Sequence, residues 1–168
     1  MKKWIFTPFV LLGLLSISAF THVNNKSKAD SIEWLSFEEA VKENDSDKKL
    51  IFIDVYTDWC GWCKVMDKKT FTDETVKSFM NDNFHNVKLD AEQKEQIQFA
   101  GKTFEWVDAG RNGIHQLAYS LLKGQLSYPS FVVLDAEFKR VKILKGYQQP
   151  QQLLQQLKPL VEKHKNKS

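Results

Sequence analysis

Apolar positions along the chain change their spacing several times, and each change marks an element. Ser36-Phe37-Glu38-Glu39 has the spacing of a helix capping box, and Phe37, Ala40 and Val41 follow at helical intervals. The pattern predicts a first helix ending near Asn44. Leu50-Ile51-Phe52-Ile53-Asp54-Val55-Tyr56 is a nearly continuous apolar run rich in β-formers, which suits a central strand covered on both faces. A short polar bend follows at Thr57-Asp58, and beyond Cys63 the absence of Gly and Pro up to Phe71 predicts a helix. Val76, Phe79 and Met80 mark a second amphipathic helix after Thr72-Asp73, and His85 to Asp90 reads as a strand.

Residues 91–128 carry a strand signal at Thr103 to Val107 and turn chemistry at Asp108 to Gly113. A helical stripe of Ile114, Leu117, Ala118 and Leu121 follows, closed by Gly124. Ser130 to Leu134 and Arg140 to Leu144 are two strands joined by a hairpin-length connection. Gly146 and Pro150 introduce a last helix with Leu153, Leu154, Leu157, Leu160 and Val161, which Pro159 is expected to kink or end. Strands alternate with helices throughout and no internal repeat stands out, so one α/β unit is predicted.

The N-terminus follows a different rule. Lys2 and Lys3 precede an uncharged run from Trp4 to Phe20, and a polar stretch follows from Thr21. This is the layout of a secretory signal peptide over residues 1–21, or of an uncleaved N-terminal anchor, with residues 22–31 as a polar tether and the domain over 32–168. The protein is therefore expected to be periplasmic or secreted. Of the net charge of +3, two units come from Lys2 and Lys3, leaving +1 on the remainder. So small a surplus removes the electrostatic argument for a nucleic-acid partner.

Two cysteines stand together as Cys60-Gly61-Trp62-Cys63, where the strand gives way to a helix. Cys60 thus falls where unpaired backbone N–H groups and the helix dipole favour an anion, and thiolate is the nucleophilic form of cysteine. Cys63 is three residues on, along the same helical face, placed to attack a mixed disulfide on Cys60. Competing readings are weaker. As a structural staple the pair would close a four-residue loop, worth about 2 kcal/mol in the chain-entropy model. A zinc site would need two more ligands, and the four histidines show no paired metal spacing. Two inert core thiols would not be expected at a helix start next to a bend and flanked by Trp59 and Trp62.

Asp54-Val55-Tyr56-Thr57-Asp58-Trp59-Cys60-Gly61-Trp62-Cys63-Lys64, the strand Val87-Lys88-Leu89-Asp90, Tyr128-Pro129-Ser130 and Gly146 together resemble the thioredoxin superfamily. The resemblance is nearest to extracytoplasmic thioredoxin-like proteins of Bacteroidetes-type bacteria. It implies a thioredoxin fold, with a central mixed β-sheet flanked by helices on both faces and an insertion at about 91–127. It also implies catalytic roles for Cys60, Cys63 and Asp54, the last as a buried acid beneath the pair that accepts the Cys63 proton. Pro129 matches the family's cis-proline, which would turn the Tyr128 backbone toward a substrate peptide. Trp62 and Tyr128 are the expected substrate contacts, whereas Trp59 is read as a packing residue. Lys88 matches a lysine neighbouring the acid and reads equally well as a solvated strand-end residue.

The expected activity is thiol-disulfide exchange on extracytoplasmic proteins bearing disulfides or thiols, in the reducing or isomerising direction, by a monomer without metal or cofactor. A membrane dithiol donor would resupply electrons. Gly-Trp between the cysteines departs from the Gly-Pro of thioredoxin, and such changes accompany potentials spanning about 150 mV. Phe104, Trp106 and Arg111 of the added segment are candidates for partner choice. A redox-gated binding or scaffold protein without turnover is the alternative.

Overall fold

The computed structural model describes residues 30–110 and 112–166, besides Met1. Residues 2–29, where the signal segment and most of the tether are expected, and Arg111 lie outside the described residues. The chain runs β1 (Trp34–Leu35), α1 (Phe37–Ser46), β2 (Leu50–Tyr56), α2 (Gly61–Val65), a π-helical turn (Met66–Thr70), α3 (Glu74–Asn83) and β3 (Phe84–Asp90). It continues with β4 (Ile97–Phe99), β5 (Lys102–Phe104), β6 (Trp106–Val107), β7 (Ile114–His115), α4 (Gln116–Leu121), β8 (Ser130–Leu134), β9 (Arg140–Lys145) and α5 (Pro150–Lys165).

Five strands form one sheet in the order β1-β3-β2-β8-β9. β2 pairs parallel with β3 and antiparallel with β8, so the sheet is mixed and β2 has a neighbour on each side. Its residues alternate between two cores. Ile51, Ile53 and Val55 join Val87, Leu89, Val132 and Leu134 on one face, covered by Phe37 and Ala40 of α1 and Leu117, Ala118 and Leu121 of α4. Leu50 and Phe52 join Phe84, Phe131 and Val133 on the other, under Met66 and Phe71 beside the π turn, Val76 and Met80 of α3, and Leu153, Leu154 and Leu157 of α5. The second face is aromatic, with Phe52 stacked on Phe131 at 5.5 Å and Phe71 meeting Phe131 edge-on at 6.1 Å. Helices thus cover both faces of a central mixed sheet, as predicted.

Local chemistry explains the helix starts. The Ser36 Oγ accepts from the Glu39 amide while Glu39 Oε2 accepts from the Ser36 amide, completing the capping box. Asp73 Oδ1 accepts from the Thr75 and Val76 amides at the start of α3. Three expectations need correction. Pro159 does not end α5, which continues to Lys165; Leu153, Leu154, Leu157 and Val161 stay buried along one side, so packing outweighs the missing N–H. Ile114 belongs to β7, paired with Val107, and α4 starts only at Gln116. The strand expected over Thr103 to Val107 is two strands, β5 in a hairpin with β4 and β6 paired with β7.

Candidate active site

β2 ends in a tight turn in which the Cys60 amide donates to the Thr57 carbonyl at 3.1 Å, leaving Cys60 as the N-cap of α2. The Cys63 amide donates to Cys60 Sγ at 3.1 Å, so a backbone N–H at the helix start points at this sulfur. Cys60 and Cys63 form a disulfide with their Cα atoms 5.3 Å apart. Both are buried, yet the residues beside them are not: Trp59 is 59% and Trp62 61% exposed. Trp62 leans on Tyr147 at 5.5 Å, and Trp59 meets Tyr128 edge-on at 5.8 Å.

Trp59 is therefore not a packing residue. Its indole N–H donates to Glu92 Oε1 at 2.8 Å, an acceptor it shares with Asn112 Nδ2 at 3.1 Å, and these bonds hold the ring out at the rim. An indole has a polar edge that burial would leave unpaired, and Glu92 meets it at the surface. Val55 pairs with Ser130, so Tyr128 and Pro129 lie at the same end of the sheet as the turn to Cys60. The Tyr128–Pro129 peptide is cis, and the Pro129 carbonyl accepts from the Gly146 amide at 2.8 Å. Burial, with Glu92 and Asp90 adding to it, pushes the Tyr128 phenol up to about 12.

Asp54 lies inside the sheet, 1% exposed, on the aromatic face of β2. Its register partner on β3 is Lys88, whose ammonium contacts Asp54 Oδ2 at 2.7 Å. The same ammonium is bonded to Asp67 of the π turn and lies over the rings of Trp34, Tyr56 and Phe71 at 4.9, 5.1 and 5.5 Å. Asp54 Oδ1 is buried and accepts no hydrogen bond among the described residues. Burial pushes the Asp54 carboxyl up to about 6, Lys88 pulls against that rise, and Asp67 adds to it. For Lys88, burial acts to lower the ammonium's proton affinity, but Asp54 and Asp67 outweigh it and the net shift is upward.

Lys88 is thus a paired residue rather than a solvated strand end. Asp67, Trp34, Glu92 and Tyr147 were not anticipated from sequence. Asp67 offered only its place four residues after Cys63, and nothing in a linear pattern ties it to Lys88. Among the described residues no group of three or more histidine, cysteine or carboxylate side chains could hold a metal ion.

A mixed sheet with helices on both faces and a C-x-x-C disulfide at a strand-to-helix turn define a thioredoxin-fold protein with a redox-capable cysteine pair. The chain belongs to the family Thioredox_DsbH, described as a protein of unknown function, DUF255, whose model matches residues 16–113. An uncharacterized protein of Caenorhabditis elegans is 31% identical over 93 residues, 55% of this chain but 12% of that protein. The chain therefore spans a small fraction of that relative. The solution structure of a proposed disulphide isomerase from Bacteroides thetaiotaomicron is 30% identical, with a TM-score of 0.57 over 81% of this chain and 98% of that one. A thioredoxin from Thermus thermophilus, 16% identical, matches in fold at a TM-score of 0.60 over 80% of this chain and 90% of that one.

Proposed function

We propose that this protein is a thiol-disulfide oxidoreductase that reduces or isomerises disulfides of extracytoplasmic proteins. The carrying observation is Cys60 at the start of α2, receiving the Cys63 N–H and already bonded to Cys63. In the reduced protein the Cys60 thiolate attacks one sulfur of a substrate disulfide, forming a mixed disulfide and expelling the first substrate thiolate. Cys63 then gives its proton to Asp54 and attacks Cys60 Sγ, which expels the second substrate thiolate and leaves the observed disulfide. Two electrons pass to the substrate, and a membrane dithiol donor restores the pair.

Trp62, Tyr128 and Pro129 contact the substrate in this reading. The exposed Trp62 indole and the half-buried Tyr128 ring offer apolar surface beside the sulfurs, and Pro129 has no N–H to compete with a paired peptide. The pattern of residues 1–21 supports a periplasmic or secreted location, with an anchored form if the segment is retained. No helix among the described residues is long and apolar enough to cross a membrane. The protein acts as a monomer. Reduction of insulin by the reduced full chain, followed as turbidity with a dithiol resupply, tests the activity. Sustained turnover supports it; one stoichiometric exchange without turnover favours the redox-gated scaffold.

A further inference from the structure

The buried carboxyl of Asp54 does not have its lysine to itself. Lys88 Nζ lies between Asp54 Oδ2, at 2.7 Å, and an Asp67 oxygen, and the rings of Trp34, Tyr56 and Phe71 surround it. Asp54 is closed off from solvent, whereas the Asp67 side chain is 46% exposed. Asp67 lies in the π turn Met66–Thr70, into which the helix after Cys63 continues. That turn keeps both Met66 and Thr70 buried, and Asp67 lies between them in sequence.

We infer that Asp67 is a positioning residue for the exchange reaction: by sharing the Lys88 ammonium with Asp54, it keeps the buried carboxyl able to take up and release a proton. This inference rests on the reading of Asp54 as the proton acceptor for Cys63. A lysine committed wholly to a buried carboxylate would stabilise the ionised form and make a poor base of it. Two effects of Asp67 oppose that outcome and have the same sign. Its negative charge repels a second negative charge on Asp54, and its bond to the ammonium draws positive charge away. The charged and titratable groups around Asp54 are Lys88 on β3, Asp67 on the π turn and Tyr56 on its own strand, while its β8 partner, Phe131, carries no charge.

The test is titration of the Asp54 carboxyl by carbon-13 NMR in the oxidised full chain, for wild type, Asp67→Asn and Asp67→Glu. Asp67→Asn is expected to move the midpoint down by about one pH unit, while Asp67→Glu, which keeps the charge, holds it near the wild-type value. The pH at which substrate release from the Cys60 adduct becomes half-maximal should move down with it. An unchanged midpoint in Asp67→Asn, or one that rises, overturns the inference; a rise would mean that Asp67 holds Lys88 in place for Asp54. Because the carboxyl is observed directly, a chain that shows the downward shift but turns over no disulfide fails the proposed function alone. A shift equally large in Asp67→Glu also overturns the inference, since it would trace the effect to local structure rather than charge.

Discussion

The two faces of β2 solve different problems. Ile51, Ile53 and Val55 look into a core made mostly of aliphatic side chains, with Phe37 from α1 among them and Tyr128 at its margin, and no ion pair is buried among its members. Leu50, Phe52 and Asp54 point the other way, into a core of stacked and edge-on rings that includes a carboxylate and an ammonium. The first face yields stability from area removed from water. The second gives up some of that gain to hold an ion pair inside the sheet. One strand, read at period two, separates the two tasks residue by residue.

The largest effect should come from the helix over the second face. Cys60→Ser is expected to abolish exchange, while Cys63→Ser leaves attack intact and accumulates mixed disulfides, visible on non-reducing gels and by mass spectrometry. Adducts on Cys63 alone would reverse the two roles.

On the aliphatic face, Ile53→Ala should cost about 2–5 kcal/mol in denaturant unfolding and leave the pH profile of exchange unaltered. A shifted profile would show that the two faces are coupled through the strand.

Asp54→Asn sharpens the contrast in pH. Folding raises the Asp54 carboxyl from 3.8 to about 6, so its favourable contribution is complete below the unfolded value and is lost as pH rises through about 6. Wild type should therefore lose about 3 kcal/mol of stability relative to Asp54→Asn between about pH 2 and about pH 8, at about 1.36 kcal/mol per unit, most of it between about pH 4 and about pH 7. Substrate release should slow in the variant at neutral pH and recover at high pH, with initial attack by Cys60 changed less; stopped-flow mixing resolves both steps. Equal slopes of stability against pH would make Asp54 an ordinary structural acid.

The smallest effect is expected at the rim. Glu92→Ala removes the acceptor of the Trp59 indole at an exposed position, for about 0.5–1 kcal/mol of stability, and should lower the tryptophan fluorescence anisotropy. Unchanged anisotropy would show that the Tyr128 contact alone holds the ring.

What could be read from sequence follows the same division. The apolar run at Leu50–Tyr56, the capping box at Ser36 and Glu39, and the turn into Cys60 are local patterns, and each element stands where it was predicted. Pro159 misled because the burial of Leu157 and Val161 decides the helix there, not the proline. The π turn was invisible because Met66–Thr70 lacks Gly and Pro, as the interior of an ordinary helix does. Asp67 and Lys88 are far apart in the chain and meet only when β3 lies beside β2. Trp59 was misjudged because a large indole beside a cysteine reads as core until its acceptor, Glu92, is seen across the fold.

Strand order has a consequence for how the protein assembles and opens. β2 is the middle strand of the order β1-β3-β2-β8-β9, and its partner β8 comes from the far part of the chain. Closing that long loop costs entropy before any contact repays it, so pairing of β2 with β8 should come late in folding. Asp54 sits in this strand with Cys60 just beyond its end, and neither can reach its native surroundings in a partly folded chain. Backbone amides of β2 should accordingly exchange with solvent only through global unfolding, while those of the β4–β5 hairpin exchange through smaller openings.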